Sequence, residues 1–282
     1  MTGSATETAD LERRFGGLRR LWGDVGYQRV RAARIAVVGI GGVGSWAVEA
    51  LARCGVAELV LFDLDHVAES NINRQIQAVG RTLGAAKIEA MAERVRDIHP
   101  GCQLTLVDDF VTTENWPALL SRPVDVLIDA CDQGRAKLAM ARWALAHRQP
   151  CVVVGAAGGK SQAHALEVAD LADVTHDPML ARLRQQLRRD RRESSGADSA
   201  GKKSNALRFG LDCVFSREPV LRPEGQCEVD GSLNCAGYGS SVMVTASFGM
   251  AAAARALEQV RTHGVTAGTF SMHSNVTTLA DT

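Results

Sequence analysis

The sequence has no excess charge of either sign and no regular spacing of its cysteines. Its 282 residues contain 32 basic and 32 acidic side chains, so a uniformly basic surface, the usual mark of a nucleic-acid binder, is not expected. The seven cysteines are odd in number and widely spread, which argues against a disulfide scaffold. No two of them form a C-x-x-C pair, so no structural zinc is expected.

Export and membrane signals are also missing. The first 15 residues contain no apolar segment of the kind that a secretory signal requires. The best candidate for a membrane span, Val242–Ala254, is closed by Arg255 after 13 residues, whereas a span needs about 20. We therefore expect no membrane span and a cytoplasmic protein with reduced cysteines.

What the sequence does contain is an alternation of apolar runs and amphipathic segments. Ala33–Val38 and Leu59–Phe62 lack polar alternation, as buried parallel strands do, and Ser45–Cys54 between them has helical spacing. The same alternation predicts strands at Leu104–Val107, Val124–Ala130 and Cys151–Gly155, and helices at Lys87–Ile98, Trp116–Leu120 and Ala136–His147. This pattern is typical of an α/β fold with a Rossmann-like, doubly wound, mostly parallel sheet.

A glycine-rich segment follows the first predicted strand and opens the first predicted helix. It fits the pattern G-x-G-x-x-G, in which glycine lets the backbone approach a phosphate at a helix N-terminus. A carboxylate stands 19 residues beyond the last glycine, at the end of the second strand, where it can accept hydrogen bonds from ribose hydroxyls. The predicted nucleotide-binding residues are Gly39, Gly41, Gly42, Gly44 and Asp63.

Polar and basic residues continue after Asp63. Amides, a guanidinium and an ammonium suit a triphosphate better than nicotinamide, because arginine offers phosphate oxygens a planar fork and lysine a point charge. A nicotinamide oxidoreductase is therefore disfavoured, and surface salt bridges are the alternative. The further candidate nucleotide-binding residues are Asp65, Asn71, Asn73, Arg74, Gln75 and Lys87.

A third polar element, Asp129-Ala-Cys131-Asp132, ends the strand predicted at 124–130. The carboxyl ends of strands line the ligand crevice of open α/β sheets. Mg²⁺ prefers one or two carboxylates together with phosphate oxygens, so Asp132 is the candidate metal ligand and ATP with Mg²⁺ the expected pair. Asp129 is equally consistent with a cap of the helix that begins near Arg135.

Together these segments resemble the ubiquitin-activating-type (ThiF/MoeB-like) adenylating superfamily and, within it, the tRNA threonylcarbamoyladenosine dehydratases. The resemblance covers roughly residues 12–260. It is carried by RFGGLRRLWG at 14–23, VGIGGVGSWAVEALAR at 38–53, DLDHVAESNINRQ at 63–75, NRQIQAVGRTLGAAKIEAMAER at 73–94, VDDFVT at 107–112, DACD at 129–132, GAAGG at 155–159, GLDCVFSREP at 210–219 and MVTASFG at 243–249.

The resemblance implies that ATP activates the threonyl carboxylate of threonylcarbamoyladenosine, next to the tRNA anticodon, as an acyl-adenylate. Pyrophosphate leaves, and intramolecular attack then closes a ring and expels AMP, a net dehydration. Asp63 would hold the ribose and Asp132 the Mg²⁺, and a homodimer is expected. The residues that would bind phosphates are Asn71, Asn73, Arg74 and Lys87.

Two other functions stay open at this point. One is adenylation of the C-terminus of a small sulfur-carrier protein, as in ThiF or MoeB, and the other is a scaffold in a cysteine-desulfurase or sulfur-acceptor system. Adenylation needs charge neutralisation and little proton chemistry. Our candidate catalytic residues are accordingly Arg74, Lys87, Asp132 and Arg20.

The sequence departs from the superfamily near its start. MoeB-like relatives carry an arginine in an RYNRQ-type segment that reaches ATP across a dimer interface, whereas this chain has Gly17 there. Arg20 and Arg14 are the candidate replacements. Cys235 is a candidate nucleophile because related enzymes carry an acyl group on cysteine. Ring closure needs no enzyme thioester, however, which favours a non-catalytic Cys235.

Two segments are strongly basic although the net charge is zero. Residues 13–34 contain seven arginines and one acidic residue, and residues 180–208 contain nine basic and three acidic residues. Such runs are usually solvated faces, but an implied tRNA substrate favours phosphate contacts. The candidate tRNA-binding residues are Arg182, Arg188, Arg189, Lys202 and Lys203.

The chain is expected to form one domain with extensions. Residues 1–32 are an arginine-rich helical segment, and residues 33–160 form the ATP-binding Rossmann-like domain. Residues 161–262 form its C-terminal part, which faces substrate and tRNA, and residues 263–282 are a polar tail expected to be disordered. Within the C-terminal part we predict strands at Leu166–Leu171 and Cys213–Phe215, helices at Leu180–Arg192 and at the end of Gly237–Val260, and a mobile loop at Glu193–Asn205.

Overall fold

Seven strands form one sheet in the computed structural model, which describes residues 9–194, 208–221 and 238–263. They are β1 (Arg34–Val38), β2 (Glu58–Phe62), β3 (Gln103–Val107), β4 (Val126–Asp129), β5 (Cys151–Val154), β6 (Leu166–Asp170) and β7 (Asp212–Ser216). Their order is β3-β2-β1-β4-β5-β7-β6, and every neighbouring pair is parallel except β6 with β7. The predicted mostly parallel α/β sheet is confirmed.

The helices cover both faces of this sheet. They are α1 (Leu11–Phe15), α2 (Gly17–Ala32), α3 (Gly44–Arg53), α4 (Lys87–Ile98), α5 (Gly134–His147), α6 (Pro178–Ser194) and α7 (Val242–His263). One apolar layer joins the sheet to α3, α4 and α7, and a second joins it to α5 and α6. Because both faces are covered, β1, β2, β4 and β5 are buried at every position and show no polar alternation.

Residues beyond 160 complete the same sheet. β7 adds to β5 in parallel, and the antiparallel β6 forms the edge. Helix α7 then crosses back to pack on α3, with further contacts to α2, β4 and β5. The apolar run Val242–Ala254 lies in α7, and no helix in the described part of the chain is long and apolar enough to cross a membrane.

The short helix predicted at Trp116–Leu120 is wrong, because residues 113–119 form turns. Trp116, the first residue of the predicted helix, precedes Pro117, and the residue before a proline is disfavoured in the helical conformation. The Asn115 side chain also closes this segment locally: its Oδ1 accepts from the Thr112 N–H at 2.7 Å, and its Nδ2 donates to the Phe110 carbonyl at 2.8 Å. Side-chain bonds of this kind compete with helical backbone bonds.

Arginines of the N-terminal segment hold helix ends together. Arg14 Nη1 donates to the carbonyls of Asp97 and Ile98 at 3.0 and 2.7 Å, at the C-terminus of α4, where the helix dipole favours a cation. In the same way Arg31 donates to the Gly55 carbonyl, just beyond α3. Part of this basic segment therefore stabilises the fold.

Candidate nucleotide site

A cavity lies at the carboxyl ends of β1, β2, β4 and β5, where the strand order reverses between β1 and β4. Ligands of open α/β sheets bind at such reversal points. The cavity is lined by the glycine segment, by the residues at the ends of β2 and β4 and by the first turn of α4. The predicted residues that line it are Gly39, Gly41, Gly42, Asp63, Asp65, Arg74, Lys87 and Asp132.

The turn between β1 and α3 requires glycine at two positions. Gly39 has a φ of +88°, and a Cβ there would lie 2.9 Å from the Cys131 amide nitrogen. A Cβ on Gly44 would lie 1.8 Å from the Gly39 carbonyl oxygen. Gly44 does not line the cavity and instead begins α3, whose positive end faces it through Gly41 and Gly42.

Asp63 connects this glycine turn to the end of β2. Its Oδ2 accepts from the Ile40 N–H at 2.6 Å, and its Oδ1 accepts from the Asp65 N–H at 2.9 Å. Burial raises the pKa of Asp63, although the Lys87 ammonium and the two N–H donors act against this shift. The carboxylate therefore fixes the turn and also faces the cavity.

Lys87 begins α4 and carries its ammonium group to the cavity wall. Its Nζ lies 2.6 Å from Asp65 Oδ2, and its side chain is 9% exposed against 52% for Asp65. The backbone reinforces the pair, since the Lys87 N–H donates to the Asp65 carbonyl at 2.9 Å. A largely buried ammonium with one half-exposed partner is suited to meet a phosphate.

Arg74 lies beside the glycine turn and also lines the cavity. The aliphatic part of its side chain packs against Gly42. Its Nη1 donates to the Ser70 carbonyl at 2.6 Å and to Asn73 Oδ1 at 3.0 Å. The Trp46 indole N–H donates to the Arg74 carbonyl at 2.9 Å and so ties this residue to α3.

The three predicted amide ligands do not line the cavity. Asn71 Oδ1 accepts from the Ala68 N–H at 3.1 Å, and Asn73 Nδ2 donates to the Ser240 carbonyl at 3.1 Å. Gln75 Oε1 accepts from Gln77 Nε2 at 3.2 Å. In this structure these amides shape the segment that presents Arg74, and their role as phosphate ligands stays a prediction.

Asp129 and Asp132 lie in different surroundings. Asp132 is exposed and lines the cavity, whereas Asp129 is buried, with its Oδ1 2.8 Å from Lys137 Nζ. The cap role considered for Asp129 is wrong. Gln133 precedes the first turn of α5, and no side-chain hydrogen bond caps that turn in the described structure. Asp129 instead pairs with a lysine inside the helix.

The cavity suits a metal bound chiefly through a nucleotide. Among residues 9–194, 208–221 and 238–263, no three His, Cys, Asp or Glu side chains are arranged to hold a metal ion by themselves. Mg²⁺ in nucleotide sites needs only one or two carboxylates, because phosphate oxygens and water complete its shell. The exposed carboxylate of Asp132 fits that requirement.

The far wall of the cavity comes from segments whose role the sequence patterns did not reveal. Asp177 organises one of them: its Oδ2 accepts from the Ala156 N–H at 2.8 Å and its Oδ1 from the Leu180 N–H at 2.9 Å. It thereby joins a cavity loop to the first turn of α6. The segments at 107–112, 155–159 and 243–249 carry the family resemblance and contribute to this wall, but the sequence did not predict their place in the site. The lining residues of the wall include Asp109, Phe110, Gly155, Ala156, Ala157, Gly158, Met179, Ser240 and Thr245.

The remaining candidates lie outside the cavity. Arg20 is exposed on α2 and does not line the cavity of its own chain. Arg182 and Arg189 are exposed on α6, Arg188 is half-buried, and Arg189 pairs with Glu193 at 2.8 Å. Three candidates fall outside the described residues, namely Lys202, Lys203 and Cys235. The loop predicted at Glu193–Asn205 is wrong for its first two residues, which continue α6, and the tail predicted at 263–282 is wrong for His263, which ends α7. The rest of both segments lies outside the described residues.

The fold and the cavity together define a nucleotide-binding protein of the Rossmann-like class. A model of the ThiF family matches residues 16–280, and the chain belongs to this family. The tRNA threonylcarbamoyladenosine dehydratase of Haemophilus influenzae is 40% identical over 255 residues, which cover 89% of this chain and 94% of that protein. The Escherichia coli protein of the same name is 41% identical over 257 residues, covering 88% and 93%.

Solved structures agree with this assignment. The Escherichia coli tRNA N6-threonylcarbamoyladenosine dehydratase in complex with ATP matches with a TM-score of 0.78 at 40% identity, covering 92% of this chain and 99% of that one. Its complex with AMP matches with a TM-score of 0.77 at 41% identity, covering 89% and 96%. The resemblance inferred from the sequence is confirmed, and the chain is an enzyme of this family.

Proposed function

We propose that this enzyme uses ATP to dehydrate threonylcarbamoyladenosine in tRNA through an acyl-adenylate. The observation that carries the proposal is the meeting of Arg74, Lys87 and Asp132 beside the glycine turn in one cavity. The two cations can bind phosphate oxygens and the carboxylate can hold a metal ion, so the three side chains suit a triphosphate. The dehydratases that match about nine-tenths of the chain support this reaction, as do the matching ATP and AMP complexes.

In the first step an oxygen of the substrate carboxylate attacks the α-phosphorus of ATP. A bond forms between that oxygen and phosphorus, the bond to the bridging oxygen breaks, and pyrophosphate leaves with the electron pair. Lys87 and Arg74 stabilise the negative charge that develops on the phosphate oxygens. When bound, Mg²⁺ supplies further charge neutralisation, and Asp132 is the residue that would hold it.

In the second step the substrate's own carbamoyl group attacks the activated carbonyl carbon. The new bond closes a ring, the bond to the phosphate oxygen breaks, and AMP departs with one former carboxylate oxygen while the carbamoyl group loses a proton. The balance is the loss of one water from the nucleoside. No enzyme nucleophile takes part, so this route does not require Cys235.

This function can be tested by varying the molecule that accepts the adenylyl group. The enzyme is incubated with ATP, Mg²⁺ and tRNA that carries or lacks threonylcarbamoyladenosine, and AMP is measured. We expect AMP only with the modified tRNA, in equal amount to the cyclised nucleoside. AMP formation with a small sulfur-carrier protein in place of tRNA would favour the other adenylating function, and no turnover with any acceptor would favour a scaffold.

We further propose that three arginines of α6, the exposed Arg182 and Arg189 and the half-buried Arg188, contact phosphates of the anticodon arm. The helix begins at the cavity, where Met179 lines the wall, and its apolar side is buried through Leu180, Leu183 and Leu187. The opposite side therefore presents cations beside the reaction site. Not every arginine is available, since Arg184 donates to the Leu171 and Val174 carbonyls.

Charge reversal on α6 should weaken tRNA binding. For Arg188→Glu with Arg189→Glu we expect about tenfold lower affinity and a salt dependence reduced by about two phosphate contacts, because each lost contact lowers the slope by about one. Binding is measured by filter retention across salt concentrations. Arg96→Glu with Arg148→Glu, two exposed arginines at the C-terminal ends of α4 and α5, is the charge-matched control. Equal effects of the two double variants would contradict a specific role for α6.

A further inference from the structure

A fully buried ion pair lies directly behind the cavity wall. Lys137 Nζ is 2.8 Å from Asp129 Oδ1, and the two side chains are 1% and 0% exposed. Burial lowers the pKa of Lys137, but the attraction and hydrogen bond of Asp129 together with the nearby thiols of Cys131 and Cys151 act against it, so the pKa lies above its ordinary value. Well-packed apolar residues are often as stable as such a pair, so stability alone does not explain it.

The pair connects to the cavity through the backbone of Cys131. Asp129 Oδ1 accepts from the Cys131 N–H at 3.2 Å and from its thiol at 3.1 Å. Cys131 and its neighbour Asp132 both line the cavity. The Ala130 N–H donates to the Val38 carbonyl at 2.9 Å, so this short loop also lies against the glycine turn.

Lys137 determines which way the Asp129 carboxylate faces. All three side-chain contacts of Asp129, from Lys137, the Cys131 amide and the Cys131 thiol, are made to the same oxygen, Oδ1. The other oxygen, Oδ2, is buried and has no hydrogen-bond partner among the described residues. The two oxygens of a carboxylate are chemically equivalent, so the ammonium acts by fixing the rotation of the group about its Cβ–Cγ bond, which keeps one oxygen at the Cys131 amide.

We propose that Lys137 and Asp129 are positioning residues that hold the loop of residues 130–132, so that the Asp132 carboxylate meets the metal–phosphate group of bound ATP. The proposal rests on the function proposed above. Groups that orient a metal ligand without touching the metal commonly change metal affinity by tenfold or more. Here the oriented group is the carboxylate of Asp132, the proposed ligand of the Mg²⁺ that binds together with ATP.

Two double variants separate positioning from stability. Removing one partner alone leaves a buried charge and endangers the fold, so both residues are changed together. Asp129→Leu with Lys137→Met replaces the pair by apolar side chains and leaves no acceptor for the Cys131 amide. Asp129→Asn with Lys137→Gln is the conservative control, because the asparagine oxygen can still accept from Cys131 and from the glutamine amide.

The measurement is ATP affinity by calorimetry, with Mg²⁺ and with EDTA, beside thermal unfolding. We expect the apolar variant to stay folded, with a melting temperature lowered by only a few degrees because the Cys131 N–H loses its acceptor. It should lose about tenfold in affinity for ATP with Mg²⁺ and change little in EDTA. The conservative variant should recover most of the affinity. Equal affinities of wild type and apolar variant in Mg²⁺ would overturn the proposal.

A third substitution tests whether the pair acts through Asp132. Asp132→Asn removes the charged metal ligand, so adding it to the apolar variant should cause no further loss if both act on the same interaction. Additive losses would overturn the proposal. A wild-type protein that binds no ATP under either condition would instead contradict the proposed function, which keeps the two failures apart.

Discussion

Asp132→Ala is expected to reduce AMP formation at least about 100-fold while leaving the fold intact. The proposed role is to hold Mg²⁺ against the phosphates, and such charge stabilisation is worth several kcal/mol, which corresponds to about two or more powers of ten in rate. The side chain is exposed, so its removal leaves no buried group without a partner. AMP formation with modified tRNA and the melting temperature are the two measurements.

Asp108→Ala is the matched control for this substitution. Asp108 is an exposed carboxylate close to the cavity, but it does not line it. We expect its turnover to remain within about twofold of wild type, as for most surface changes. Turnover at the wild-type level in Asp132→Ala would remove Asp132 from the site, and equal losses in both variants would point to a general effect of negative charge.

Lys87→Met is expected to lower AMP formation by about 100- to 1000-fold, which is the usual effect of removing one donor that stabilises transition-state charge. Methionine keeps the length of the buried stem, so the first turn of α4 should pack as before. Asp65 loses its ionic partner, but it is half-exposed and water can replace the ammonium. Turnover and thermal unfolding are measured together.

Arg81→Met provides the comparison for Lys87. Arg81 is exposed in the segment that leads into α4 and does not line the cavity, so it removes the same charge without touching the site. Its turnover should match wild type. A Lys87→Met enzyme with wild-type kcat and only a raised KM for ATP would mean that Lys87 binds the ground state and transition state equally.

The parts of the fold that were predicted correctly have strong local patterns. Helix α4 has the predicted bounds, because its apolar residues recur at helical spacing between clear ends. Strands β1 and β2 are apolar runs bounded by turns, and the glycine turn lies between them within one βαβ unit. A site assembled from consecutive elements is visible in a sequence because its spacing is local.

The far wall of the cavity could not be predicted because its residues come from segments that are distant from the glycine turn in the sequence. Ser240 and Thr245 reach it only because α7 crosses back over the sheet, and Met179 only because α6 begins there. Polar residue type alone does not distinguish the two roles of an amide, and the prediction that Asn71 and Gln75 bind phosphate stays a prediction. Asn71 and Gln75 look like phosphate ligands in the sequence, yet an amide satisfies a neighbouring protein group equally well.

Lys137 is the clearest example of a residue without a sequence signal. It stands in a helix among alanines and leucines, where a lysine usually reaches solvent. Only the topology, which places the first turns of α5 beside the end of β4, brings it to Asp129. The balanced net charge was similarly uninformative, because Arg14 and Arg31 donate to backbone carbonyls at helix ends and so have structural roles.

The carboxylate of Asp177 fixes the position of α6 relative to the cavity. One oxygen holds the first turn of the helix and the other holds the cavity loop at Ala156, so the start of α6 and the cavity keep a constant separation. Arg182 and Arg189 stand four and eleven residues after Pro178, or about 6 and 16 Å along the axis at the rise of an α-helix. A polyanion bound to Arg182 and Arg189 would enter the cavity in a fixed position. The distance of these arginines from the start of α6 would then determine how deep the reacting nucleoside lies.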